Sequence, residues 1–178
     1  MIDDARIRAI TESSIAALEA EPGSGRSEVS TRIRLTDGLS CQVTEGERTF
    51  HVDVPEDSGG HDRGPAPGTL MRAAIGACFA MDCRIWAAVE GVLLDEVEIQ
   101  VTTTLDYRGM LGVADLPRGF ETVSITARIR SDAPREDVER VLARARDLNP
   151  RVWEMSRAVP IETRLDLVPA GLAPAKAS

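Results

Sequence analysis

Apolar positions along this chain follow two different periods. Ile7, Ile10, Ile15 and Leu18 recur at helical spacing and predict an amphipathic helix over residues 2–19. Glu21-Pro22-Gly23-Ser24-Gly25 ends it and makes a flexible joint. The period then drops to two. Val29, Thr31, Ile33 and Leu35 alternate with Ser30, Arg32 and Arg34, and Thr36-Asp37-Gly38 supplies a hairpin turn. Leu39–Val43 and Arg48–Val54 give two more strands around a second turn at Thr44-Glu45-Gly46-Glu47. Residues 55–68 are a Pro-, Gly- and Asp-rich loop. Helical character returns with Thr69 as the expected N-cap and Gly91 as the stop. The middle of that helix, Ala73 to Met81, is apolar nearly all round, which predicts burial on most faces.

Two further alternating runs predict strands over about 95–105 and 120–130, joined by a long loop that begins Asp106-Tyr107-Arg108-Gly109. Ser131-Asp132-Ala133-Pro134 starts another helix, with Val138, Val141, Leu142, Ala145 and Leu148 on its apolar face and Asn149-Pro150 as its stop. A short turn or helix over Val152–Arg157 leads into a last strand at about Ile161–Leu167, and residues 169–178 read as a disordered tail. The order is α-βββ-α-ββ-α-β. Strands that pair with sequence neighbours imply antiparallel sheets with helices to one side, so the fold class is α+β.

Composition narrows the function. The 178 residues suit one domain, and aromatics make up only 3% of them, so the core must be aliphatic. A net charge of -8 repels phosphate backbones, which argues against a nucleic-acid partner. Residues 70–89 approach the length of a membrane span, but Arg72, Asp82 and Arg84 interrupt them, so no membrane partner is expected. Met1-Ile2-Asp3-Asp4 lacks a basic, apolar leader. The expected compartment is therefore the cytoplasm, with Cys41, Cys78 and Cys83 as thiols. No His, Cys or acidic pair has zinc-like spacing, and neither a metal nor a cofactor is expected. His51 falls on the polar phase of its strand, and His61 lies in the loop before the long helix.

Gly64-Pro65-Ala66-Pro67, followed by Leu70 and Ala77-Cys78-Phe79, resembles the loop and cysteine helix of the OsmC/Ohr family (osmotically induced protein C and organic hydroperoxide resistance proteins). The segment Asp106-Tyr107-Arg108-Gly109-Met110-Leu111-Gly112, then Gly119-Phe120, Asn149-Pro150 and Val159-Pro160, follows the same order. The resemblance covers residues 28–168 and leaves 1–27 as an added helix and joint. It implies an intertwined homodimer and thiol peroxidase chemistry on organic hydroperoxides. It also implies a peroxidatic Cys activated by an Arg and a Glu, and a resolving Cys just before a Pro. The peroxidatic position falls on Cys78. The resolving position falls on Asn149, the Glu on Gly68, and the Arg aligns best with Thr36, with Arg32 and Arg34 close by in sequence.

Chemistry sets the terms on which Cys78 could react. A thiolate needs nearby positive charge or a helix N-terminus. Cys78 lies well inside its helix, so Arg32, Arg34, Arg63 or Arg72 must supply the charge. Asp82, one turn on, acts against it unless it is itself paired. Cys83 is the other candidate thiol on the helix. Five residues turn a helix by about 500° and advance it about 7.5 Å, which points the two side chains about 140° apart. That fits poorly with a disulfide, whose Cα atoms lie within about 7 Å and whose Cβ vectors converge. Cys41 reads as a packing residue on its strand, and Trp86 as a wall of an apolar pocket or part of the core.

Two functions stay open, beside a purely structural dimer in stress physiology. In one, Cys78 reduces a small hydrophobic hydroperoxide and an external thiol reductant resolves the sulfenic acid. In the other, the same dimer binds a small apolar ligand without catalysis and Cys78 only packs.

Overall fold

The structure, a computed structural model, describes residues 3–169. The first helix, α1, runs Asp4–Ala20, capped by the Asp3 carboxylate, which accepts from the Arg6 amide at 2.9 Å. Its outer face stays in solvent. The Arg8 guanidinium donates to the Ala88 carbonyl, and Asp4 pairs with Arg84 at 2.8 Å, so α1 leans on the C-terminal half of the long helix.

Three strands follow as an antiparallel meander: β1 (Arg32–Asp37), β2 (Ser40–Glu45) and β3 (Arg48–Val52). Gly38 and Gly46 sit in the turns at φ 55° and 57°, a conformation that costs side chains with a Cβ. The register pairs Ile33 with Val43, Leu35 with Cys41, Val43 with Phe50 and Cys41 with Val52. Alternation therefore gathers these six side chains on one face. Among the described residues nothing covers that face fully: Ile33 is 59% and Leu35 62% exposed.

Asp53, the residue after β3, is buried and organises the loop that follows. Its Oδ1 accepts from the amides of Val54 (2.8 Å) and His61 (3.2 Å), and its Oδ2 from the amide of Arg63 (3.2 Å). Burial pushes this carboxyl up, but the three amide donors outweigh it and hold the group down at about 2. Gly60 packs so closely that a Cβ there would lie 2.0 Å from the Val54 carbonyl oxygen and 2.4 Å from Asp53 Oδ1. His61 reaches back to Asp37 at 3.0 Å, and Leu39 N–H donates to the Gly59 carbonyl, so the loop is tied to the β1–β2 turn.

The long helix α2 runs Pro67–Glu90 and ends at Gly91, which takes the left-handed conformation the sequence predicts. Its start differs from the expected Thr69 cap. Ala66 is the N-cap and Pro67 opens the helix, because proline's fixed φ and missing N–H suit a first turn. Within the single chain, burial is confined to one side of the helix. One stripe (Ile75, Phe79, Cys83 and Ala87) is buried, while Met71, Ala74 and Met81 on another stripe are exposed.

The buried stripe packs on a second sheet, the hairpin β4 (Glu96–Thr104) and β5 (Thr122–Arg130), in register from Glu96–Arg130 to Thr104–Thr122. Val97, Ile99, Ile125 and Ile129 face the helices, while Glu and Arg side chains pair on the outer face (Glu96–Arg130, 3.5 Å). A single turn, α3 (Tyr107–Met110), interrupts the connection. The helix α4 (Arg135–Leu148) closes the core with Val141 and Ala145 against Phe79, Cys83 and Leu94. Each fully buried aliphatic here contributes about 1.5–3 kcal/mol. A short helix, α5 (Pro150–Met155), follows at once.

Asn149 joins α4 to α5 and is fully buried. Its Oδ1 caps α5 by accepting from the Val152 amide (2.8 Å), and its Nδ2 donates to Asp82 Oδ2 on α2 (2.7 Å). Beyond α5 the structure departs from the sequence reading. The strand expected at Ile161–Leu167 is unpaired and exposed, with Ile161 at 87%. A strand needs a hydrogen-bonded neighbour, and this segment of the chain has none among the described residues. The tail expected to be disordered lies mostly outside the described residues.

Two outcomes follow. An Asp53→Asn variant loses thermal stability at neutral pH and loses part of the acid limb. The wild-type carboxyl sits at about 2 when folded and 3.8 otherwise, so its stabilising contribution is complete above about pH 4 and disappears as pH falls through 2. Melting temperature against pH for both proteins shows this as two curves converging in acid. An Asn149→Ala variant loses a helix cap and the side-chain hydrogen bond to Asp82, at a cost of about 1–3 kcal/mol in urea unfolding at pH 7. The loss is smaller near pH 4, where Asp82 is more readily protonated. Equal losses at both pH values would show that the charge on Asp82 adds nothing to the bond.

Candidate functional site

Cys78 sits in the middle of α2, partly exposed, on the stripe formed by Met71, Ala74 and Met81. Spacings of three and four residues place those side chains on one face. The buried stripe of the same helix turns away from it into the core. Cys78 therefore occupies the open side of a helix whose other side is fixed by packing, a rigid mounting for a reactive group.

Cys83 is placed differently. It has no exposure and lies among Phe79, Val141 and Ala145. Burial, and then the charge of neighbouring Asp82, pushes its thiol up to about 11. At neutral pH it is protonated and serves as a small packing residue. Burial also pushes Asp82 above the ordinary carboxylate range, against which the Asn149 bond acts. The sequence left open whether Asp82 is paired; the structure pairs it with Asn149. Residue 149, where the resemblance implies a resolving thiol, is thus an amide enclosed in packing and doubly hydrogen-bonded.

The candidate arginines are scattered. Arg72 lies on α2 and bonds Thr69 at 3.2 Å. Arg32 and Arg34 project from the polar face of exposed β1, opposite Thr44 and Gln42. Trp86 is half-buried beneath the Arg144 guanidinium, 4.1 Å from ring centroid to Cζ. Arg144 and Arg140 in turn pair with Glu90 at 3.3 and 2.9 Å. Trp86 therefore helps to lock α2 to α4. Among the described residues, no three His, Cys, Asp or Glu side chains gather as metal ligands, and no helix is long and apolar enough to cross a membrane.

A cavity of about 460 Å³ opens between β5 and α4. Phe79, Val123, Ile125, Leu142 and Val152 line it, with Glu139 and Arg146 at its rim. Cys78 is not among its lining residues. Sequence reasoning missed this cavity and also missed Asp53 and the role of Asn149. An Asp between a strand and a Gly-rich loop, and an Asn before a Pro at a helix junction, are signals for such turn-organising side chains.

The family model described as OsmC-like protein matches residues 59–164. None of the curated proteins matches the chain. Solved structures do. An OsmC-like protein from Mycoplasma pneumoniae superposes with a TM-score of 0.64 at 12% identity, over 73% of this chain and 88% of that one. An organic hydroperoxide resistance protein OsmC from Legionella pneumophila gives 0.54 at 21% identity, over 72% and 89%. An organic hydroperoxide resistance protein from Elizabethkingia anophelis gives 0.52 at 17%, over 71% and 86%. At these identities the likeness establishes the fold: an α+β domain with antiparallel sheets around a long helix. Because the family model spans more than half of the 178 residues and the fold agrees with it, the chain belongs to the OsmC-like family.

Proposed function

We propose that this OsmC-like chain is a homodimeric, thiol-dependent reductant of organic hydroperoxides in which Cys78 is the reacting thiol. The observation that carries the reading is the placement of Cys78. Of the three thiols it is the one on the open face of α2, flanked by the exposed apolar side chains of Met71 and Met81. A thiolate there attacks the terminal oxygen of a hydroperoxide. The O–O bond breaks, the alcohol leaves after taking a proton, and Cys78 becomes a sulfenic acid. The methionine side chains suit the alkyl part of an organic peroxide better than hydrogen peroxide.

Exposed apolar side chains support the dimer: Ile33 (59%), Leu35 (62%) and Met81 (64%) remain open on one chain. The apolar face of the meander, the Met71–Met81 stripe and the exposed segment from Ile161 to Leu167 are the surfaces in need of cover. Arg32 and Arg34 make no ion pair within the described residues; they lie on the opposite face of β1 from the side chains that share the Cys41 face.

One observation favours a second reading, the binding of a small apolar ligand without chemistry: the 460 Å³ cavity is apolar and separate from Cys78. The two readings part in one experiment. Protein treated briefly with one equivalent of cumene hydroperoxide is read by intact mass after trapping with dimedone, beside Cys78→Ser. A Cys78 adduct that forms faster than with hydrogen peroxide, and faster than in denatured protein, supports the peroxidase. A rate no greater than the denatured background sinks it. A Leu142→Trp variant, which fills the cavity, loses binding of a fluorescent apolar probe under the ligand reading and leaves the Cys78 rate unchanged under the peroxidase reading.

A further inference from the structure

We propose that Cys41 of a second copy resolves oxidised Cys78, so that turnover passes through a disulfide between the two chains; this rests on the peroxidase reading above. An isolated sulfenic acid on Cys78 needs a thiol, and the sequence holds two others. Cys83 is excluded by its surroundings. It is fully enclosed in the core, and it projects from α2 about 140° away from Cys78, so a bond between them would unwind the helix. Residue 149 is an asparagine, held by bonds to Asp82 and to the Val152 amide. Cys41 remains.

Its position is suited to the task. The register of the meander pairs Cys41 with Leu35 on one side and Val52 on the other, on the apolar face of the sheet. It is partly exposed, as Cys78 is. Within one chain the meander makes no substantial packing contact with α2. Each thiol thus lies on an apolar surface that is open in part: one on a sheet face where Ile33, Leu35 and Phe50 are exposed around buried Val43, the other on a helix stripe with exposed Met71 and Met81. A second copy is the occupant that supplies both missing surfaces at once, because it carries the same sheet face and the same helix stripe. In a two-fold dimer the contact is reciprocal, giving two equivalent Cys41–Cys78 pairs. A helix stripe laid on a sheet face brings facing Cβ atoms into contact, and a disulfide needs them about 3.8 Å apart.

The chemistry balances. The hydroperoxide oxidises Cys78 to its sulfenic acid and leaves as the alcohol. The Cys41 sulfur attacks the Cys78 sulfur, the S–O bond breaks, and the hydroxyl departs as water with the Cys41 proton. The disulfide so formed is reduced by two equivalents of an external thiol, which restores both cysteines.

The test uses the full chain, treated with cumene hydroperoxide, quenched with N-ethylmaleimide, and read by non-reducing electrophoresis and by mass spectrometry of its peptides. A band at twice the chain mass, containing a Cys41–Cys78 linked peptide, is expected in the wild type and in Cys83→Ala. The band is lost in Cys41→Ser and in Cys78→Ser. In Cys41→Ser the dimedone adduct on Cys78 rises several-fold, because the sulfenic acid persists. A double-mass band that survives in Cys41→Ser, or a 41–78 link confined to one chain, overturns the proposal. So does a Cys78 sulfenic acid in the wild type with no linked product, although that outcome leaves the peroxidase reading standing. A Cys78 that never oxidises removes both.

Discussion

The burial of one stripe of α2 is the constraint on which the rest of this structure depends. Ile75, Phe79, Cys83 and Ala87 lie against the inner face of the β4–β5 hairpin and against Val141 and Ala145 of α4. A two-stranded hairpin is marginal in water without a helix on its apolar face. Packing on α2 supplies that cover, and α4 completes it from the other side. Fixing the inner stripe also fixes the outer one. Once Phe79 is seated, the 3.6-residue turn leaves Cys78 with no orientation except toward the open side.

Two polar groups set the ends of this arrangement. Asp53 gathers three amides of the loop before α2, so that the entry to the helix is held by a carboxylate rather than by apolar packing. Asn149 does the equivalent at the far side, capping α5 and bonding Asp82 of α2. Buried polar groups are costly unless paired, and both are paired. The Asp82–Asn149 bond has a chemical consequence as well. It draws the nearest carboxylate on α2 into a contact with an amide, and the site chemistry differs from a pattern in which residue 149 is itself a thiol.

The exposed apolar surfaces explain why one chain gives an incomplete picture of the chemistry. Arg32 and Arg34 lie on the meander, Arg72 bonds Thr69, and the apolar face of the meander is only partly covered among the described residues. Arg32, Arg34 and Cys41 belong to the meander, and Met71, Cys78 and Met81 to the helix. A thiol's reactivity follows the charge around it. The reactivity of Cys78 is therefore a property of whatever meets that face.

Periodicity in the sequence by itself determined most of the elements, because their spacing is local. The first helix, the meander, the long helix with its Gly91 stop, the β4–β5 alternation and α4 each follow from residues within a few positions of one another. The motif order around Cys78 pointed to the family that the family model and the fold then established. Tertiary structure alone decided the rest. Which residues cover α2 was one such choice. The run from Ala73 to Met81 looks equally apolar on every side, and only packing tells which side is core. Cys83 and Cys78 are indistinguishable as letters, yet one is sealed beside Asp82 and the other faces out. The segment from Ile161 to Leu167 carries strand periodicity, but a strand is a relation between two backbones, and one chain provides only one of them.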